Sequence, residues 1–103
     1  MLDPLWRPRA QLDRESIALY LGAEQGQPQA ALHVMESIDR AIRHIREFPD
    51  SGSRYAAEML KNEYRTIHAG NYTVFYRYDE AAVTIWRILH QRQDIGILTL
   101  VDF

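Results

Sequence analysis

The firmest periodicity in the chain runs over residues 31–48. Ala31, Val34, Met35, Ile38, Ala41, Ile42, Ile45 and Phe48 recur at helical spacing, and Glu36, Asp39, Arg40, Arg43 and Glu47 fill the other face. This pattern predicts an amphipathic helix. Pro28 suits its first turn, and Pro49 followed by the turn cluster PDSGS ends it. A weaker stripe of Ala10, Ile17, Tyr20 and Leu21, widened by Leu12 and Leu19, predicts an earlier helix with Gly22 as its stop. The stretch EQGQ separates the two. Before both, Leu5 and Trp6 lie between Pro4 and Pro8, a short extended segment of the kind tolerated at a sheet edge.

Beyond Gly52 the apolar period shifts toward two. Residues 64–68 read as a strand, with Ala69-Gly70-Asn71 as a tight connection. Residues 72–78, rich in aromatic and β-branched side chains, read as a second strand, and Asp79 to Ala82 turn the chain into a third over 83–90. Short loops favour an antiparallel meander. In the first hairpin the expected register sets His68 against Tyr72 and Tyr64 against Tyr76. In the second, Tyr76 opposite Trp86 and Tyr76 opposite Ile85 both satisfy the pattern. Residues 54–63 fit either a loose helical turn or a loop. The predicted fold is α+β: an N-terminal two-helix hairpin packed on a small, mainly antiparallel three- to four-stranded sheet, in a single domain over 1–103. The apolar tail GILTLVDF is expected to dock on this body or to lie in an interface.

Composition narrows the function classes. With 47% hydrophobic and 25% charged residues, the chain resembles ordinary soluble globular domains. It has no apolar run of roughly 20 residues and no secretory pattern at its start, so no membrane partner is expected. Zero cysteines exclude disulfide and thiolate chemistry and suit a cytoplasmic setting. A net charge of −2 argues against binding dominated by phosphate neutralisation, and no sequence-specific nucleic-acid binding by the chain alone is expected. There is no Gly-rich phosphate loop, nucleophile motif or metal-spaced His/Cys set, hence no expected cofactor or metal. His33 and His44 lie three helical turns apart and cannot share one ion, whereas His68 and His90 end strands that could approach each other.

The stretch VTIWRILHQRQD, residues 83–94, holds the candidate chemistry. Val83, Ile85, Ile88 and Leu89 belong in a core, yet His90, Gln91, Arg92, Gln93 and Asp94 follow at once. With Arg65, His68, Tyr72, Arg77 and Arg87 they form a polar set on the meander, and His90 and Arg92 fall near the Gly70-Asn71 turn. The plain alternative makes Arg65, Arg77 and Arg87 rim residues whose stems merely cover the sheet. Tyr55, Tyr64, Tyr72, Tyr76, Tyr78 and Trp86 cannot all point inward, because strand residues alternate faces. Tyrosine and tryptophan interleaved with arginine are typical of protein-interface anchors.

These residues resemble the ParE branch of the ParE/RelE toxins of bacterial type II toxin–antitoxin modules. The likeness begins with Trp6 and Ala10, continues through Pro28-Gln29-Ala30-Ala31, Phe48-Pro49-Asp50-Ser51-Gly52 and Arg54, and is most specific in YRTIHAGNYTVFYRYDEAAVTIWRILHQRQD. It implies a toxin that blocks growth until a cognate antitoxin protein binds it. RelE-like members cut messenger RNA on the ribosome, and ParE-like members are associated with inhibition of DNA gyrase.

Metal-free RNA cleavage needs a proton acceptor, a proton donor and cations. Where the RelE pattern has its first arginine, this chain has Thr73. Arg92 matches the second arginine, and the tyrosine's place falls in Ile95-Gly96-Ile97-Leu98. The resemblance therefore implies gyrase as the partner, with Arg65, Tyr72, Arg77, Trp86, Arg87, His90 and Arg92 as target- or antitoxin-binding residues. Under the nuclease alternative, His90, Arg92 and Arg65 would carry the chemistry. An inactive, antitoxin-binding member is the third possibility. Carboxylates of an acidic antitoxin segment are expected to meet Arg65, Arg77 and Arg87.

Overall fold

Pro8 fixes the start of the first helix and Pro28 that of the second, each in the first turn, where a missing N–H costs nothing. A computed structural model describes residues 1–55 and 63–92. Within them the order is β1 (Asp3–Trp6), α1 (Pro8–Leu19), a π-helical turn (Tyr20–Glu24), α2 (Pro28–Glu47), β2 (Ser53–Tyr55), β3 (Tyr64–Ala69), β4 (Tyr72–Tyr78) and β5 (Ala82–His90). The strands form one sheet ordered β1-β5-β4-β3-β2, antiparallel except that β1 runs parallel to β5. Two helices on one sheet confirm the α+β hairpin-on-sheet class. Five strands replace the expected three or four, because short β1 and β2 extend both edges. Residues 56–62 and the tail, including Asp94 and the stretch from Ile95 to Leu98, lie outside the described residues.

Helix α2 follows its apolar stripe. Ala31, Ile38, Ala41, Ile42 and Ile45 are buried, but Phe48 is half exposed and rests against the His44 ring at 5.3 Å. The first helix departs further from expectation. Gly22 does not stop it: the chain continues through the π turn, where the Gln25 N–H donates to the Tyr20 carbonyl. The chain direction changes at Gly26, which has φ +62°. Leu12, Leu19 and Tyr20 stay largely exposed, so the widened stripe is not core.

The first hairpin is offset by one residue from the expected register. Ala69 faces Tyr72, and Arg65 faces Tyr76. Ala69 belongs to the strand, leaving a two-residue turn in which Gly70 takes φ +60°, as the leading position of a II′ turn requires. In the second hairpin both candidate registers occur. Tyr72 to Phe75 pair with His90 to Arg87, a shift falls between Phe75 and Tyr76, and Tyr76 to Tyr78 pair with Ile85 to Val83. Trp86 is the extra residue of a bulge.

The sheet is covered on its helical side by a core of Ala10, Ile38, Ile42, Ile45, Val74, Tyr76, Val83, Ile85 and Ile88. Tyr64, Phe75 and Leu89 form a second cluster with Tyr55 and Trp86. Strand alternation places this cluster on the opposite face. The aromatic residues are thus divided: Tyr72 and Tyr76 join the helical core, Tyr64, Tyr55 and Trp86 the other cluster, and Tyr78 is exposed. No helix among the described residues is long and apolar enough to cross a membrane.

Candidate functional site

Strand β1 pairs with β5 only as far as Trp6 opposite Ile85, and Pro8 then turns the chain into α1. The edge of β5 beyond that point would expose unpaired N–H groups. Asp13, on the second turn of α1, closes it. Its carboxylate accepts from the Ile88 N–H at 2.9 Å, from Arg87 Nε at 2.7 Å and from Arg87 Nη2 at 3.0 Å. The Arg87 and Asp13 side chains are only 13% and 14% exposed, so this is a bidentate, largely desolvated pair. Arg87 is therefore already committed to a carboxylate within this chain. Asp13 had no signal in the sequence, since it lies 74 residues from Arg87.

Beyond this pair, α1, the π turn and the start of α2 leave a cleft of about 730 Å³ above the end of the sheet. Ile17, Tyr20, Val34, Tyr72, Ile88 and His90 are among its lining residues. Tyr72 and His90 face each other across β4 and β5, their rings edge to face at 5.2 Å. The Arg92 N–H donates to His90 Nδ1 at 3.1 Å, which occupies that nitrogen as an acceptor. The Gln91 N–H donates to the Asn71 carbonyl at 2.8 Å, so His90 and Arg92 do lie beside the Gly70-Asn71 turn as expected. His68 does not join them. It sits on β3, across β4 from β5, and its Nδ1 lies 3.3 Å from Thr73 Oγ1.

The other end of the sheet gathers Arg65, Arg77 and Trp86. Tyr64 and Trp86 meet edge to face at 5.3 Å. The Arg77 guanidinium stands over both rings, 5.7 Å from each centroid, and Arg7 lies 4.5 Å over Trp86. Arg65 reaches the Asp50 and Gly52 carbonyls through one nitrogen, at 3.0 and 2.9 Å, and lies 5.7 Å over the Tyr78 ring. Next to it, Arg54 and Glu63 form an ion pair on the surface. Glu63 is held below its ordinary range chiefly by the hydrogen bond from Arg54.

The candidate residues thus separate into two groups. Tyr72, Arg87 and His90 line the helical cleft, with Arg92 exposed just outside it. Arg65, Arg77 and Trp86 stand at the opposite strand ends. Arg65 faces Tyr76 and His90 faces Tyr72, four residues apart along β4, or about 13 Å. Arg7, Asp13 and Tyr20 belong to these surroundings although no sequence motif marks them as site residues. Only Tyr20 gave a sign, as part of the first apolar stripe.

Burial raises the Tyr72 and Tyr76 phenols above their ordinary value of 10.0. In the unfolded chain both ionise near 10. Their neutral forms therefore support folding fully below that pH, and the contribution is lost as pH rises through the folded values. The melting temperature should accordingly fall as pH is taken from 9 to about 11, and Tyr76→Phe should flatten that fall. Thermal denaturation by circular dichroism at stepped pH checks this.

A two-helix hairpin laid on one face of a largely antiparallel sheet, with an arginine- and tyrosine-bearing meander as its polar surface, defines a RelE/ParE-like α+β domain. The model of the ParE toxin of the type II toxin–antitoxin system parDE matches residues 5–95, and the chain belongs to that family. Toxin ParE1 of Mycobacterium tuberculosis, strains CDC 1551 / Oshkosh and H37Rv, is 33% identical over 67 residues, covering 56% of this chain and 68% of that protein. A solved structure described as a chromosomal ParDE TA system from P. aeruginosa shares the fold. Its TM-score is 0.67 at 20% identity, and the match covers 87% of this chain and 96% of that one.

Proposed function

We propose that this chain is a growth-inhibiting toxin that acts in the cytoplasm by binding DNA gyrase and is neutralised by a cognate antitoxin protein. Family membership supports the toxin–antitoxin setting. The observation that favours binding over RNA cleavage is the dispersal of the residues a nuclease would need. Arg65 is about 13 Å along the sheet from His90, and its reaching nitrogen is held by two backbone carbonyls. Thr73, at the place of the first RelE arginine, is buried against His68. Strand alternation puts Thr73 and Tyr72 on opposite faces, so Thr73 and His90 do not address one phosphate. Metal-free cleavage requires base, acid and cations to converge on one scissile group.

Expression of the chain alone in a bacterial host tests this reading. Growth should arrest, and co-expression of the small protein encoded beside it should restore growth. Primer extension during the arrest should show no translation-coupled messenger cleavage. Unimpaired growth with intact, folded protein would instead identify an inactive antitoxin-binding member. Codon-specific cleavage lost in His90→Ala and Arg92→Ala would identify a nuclease.

A further inference from the structure

Of the three arginines expected to meet a partner's carboxylates, two are already used within this chain: Arg87 by Asp13, and Arg65 by the Asp50 and Gly52 carbonyls. Arg77 differs from both. Its guanidinium is positioned by the Tyr64 and Trp86 rings, yet among the described residues its N–H fork meets no carboxylate or carbonyl. Aromatic rings fix the cation without using its donors, which leaves a preorganised fork for a planar anion. Two hollows adjoin it. One, of about 360 Å³, is lined by Arg54, Glu63, Arg65, Arg77 and Tyr78. The other, of about 170 Å³, adds Asp79, Thr84 and Trp86.

We propose that Arg77, held over the Tyr64 and Trp86 rings, is the anchor of a docking surface for an acidic segment of a protein partner, taking one carboxylate bidentately. This deepens the antitoxin reading above and rests on it. The local charge decides between carboxylate and nucleic-acid phosphate. Arg54, Arg65 and Arg77 line the two hollows against Glu63 and Asp79, and Glu63 already neutralises Arg54. Asp79 is kept ionised by the Ala81 and Ala82 N–H groups, which hold it below its ordinary range. A surface of nearly balanced charge suits a single carboxylate beside apolar side chains and offers little attraction to a run of phosphates. The exposed Tyr78, which lines both hollows with Arg77, offers contact area to the residue flanking that carboxylate.

The test uses the full chain and the antitoxin encoded beside it, with affinity measured by calorimetry. Arg77→Gln should weaken binding about 30-fold or more, as expected of an interface hot spot. Arg77→Lys, which keeps the charge but loses the fork, should recover only part of that loss. Both variants should melt within a few degrees of the native chain, since Arg77 is only half-buried and both replacements keep a stem that can lie over the rings. Binding by Arg77→Gln within twofold of the native chain would overturn this surface while leaving the antitoxin reading intact. If the native chain binds no antitoxin, that reading falls and takes the proposal with it. Saturable binding of a 20-base-pair duplex DNA probe that depends on Arg77 would assign the fork to phosphate and overturn the carboxylate.

Discussion

Asp13→Ala is expected to destabilise the chain by about 3 kcal/mol, the lower end of what removing one partner of a buried ion pair costs. Two groups lose the Asp13 carboxylate at once: the Arg87 guanidinium, only 13% exposed, and the Ile88 N–H on the open edge of β5. In a chain of this size the loss amounts to a fall in melting temperature of roughly 12 °C or more. Asp13→Leu combined with Arg87→Met should be far milder than either single change, because no charge is left stranded. Chemical denaturation of the native chain, Asp13→Leu, Arg87→Met and the double variant gives the coupling energy directly. Additive single-mutant costs would mean that the pair contributes little, and that the β5 edge is held by packing alone.

Gly52→Ala is the second large expected effect, also about 3 kcal/mol, near the top of the usual cost of overpacking. A Cβ at position 52 would collide with the Tyr76 hydroxyl and stand 2.7 Å from the Thr66 carbonyl oxygen, a backbone atom that cannot rotate away. The crowding exists because Tyr76, fully buried, sends its hydroxyl through the sheet end to tie down the turn after α2. That hydroxyl donates to the Pro49 carbonyl at 2.8 Å and accepts from the Gly52 N–H at 3.0 Å. Tyr76→Phe leaves both turn groups without that partner and should cost about 1–3 kcal/mol. In the double variant the two costs should fall short of their sum, since both act on one contact. Urea denaturation measures each. An unchanged midpoint for Gly52→Ala would show that the turn relaxes freely.

Helix α2 was legible because its whole stripe repeats at one period and because prolines mark both ends. Helix α1 was only half legible. Leu12 and Leu19 fit the spacing but face outward, and a glycine inside a helix is tolerated often enough that Gly22 could not mark the end. Strand β2 is three residues long and carries no alternation, so no pattern announced it. Its partner's register was misplaced by one because Ala69 is as compatible with a turn as with a strand. The two registers left open for the second hairpin were the two sides of one bulge.

The candidate site was legible in part for the same reason. Register sets Tyr72 beside His90, and alternation sets Arg77 on the face away from the helices. What holds each arginine depends on residues remote in sequence, Asp13 for Arg87 and the turn carbonyls for Arg65. Pattern alone could not separate these two committed arginines from Arg77.

Supercoiling of relaxed circular DNA by purified DNA gyrase, in the presence of the purified chain, separates gyrase inhibition from every other mode of growth arrest. Supercoiling should fall with increasing chain concentration and recover when the chain is first mixed with its antitoxin. Full supercoiling at a large molar excess of chain, with its fold verified by circular dichroism, would contradict gyrase inhibition.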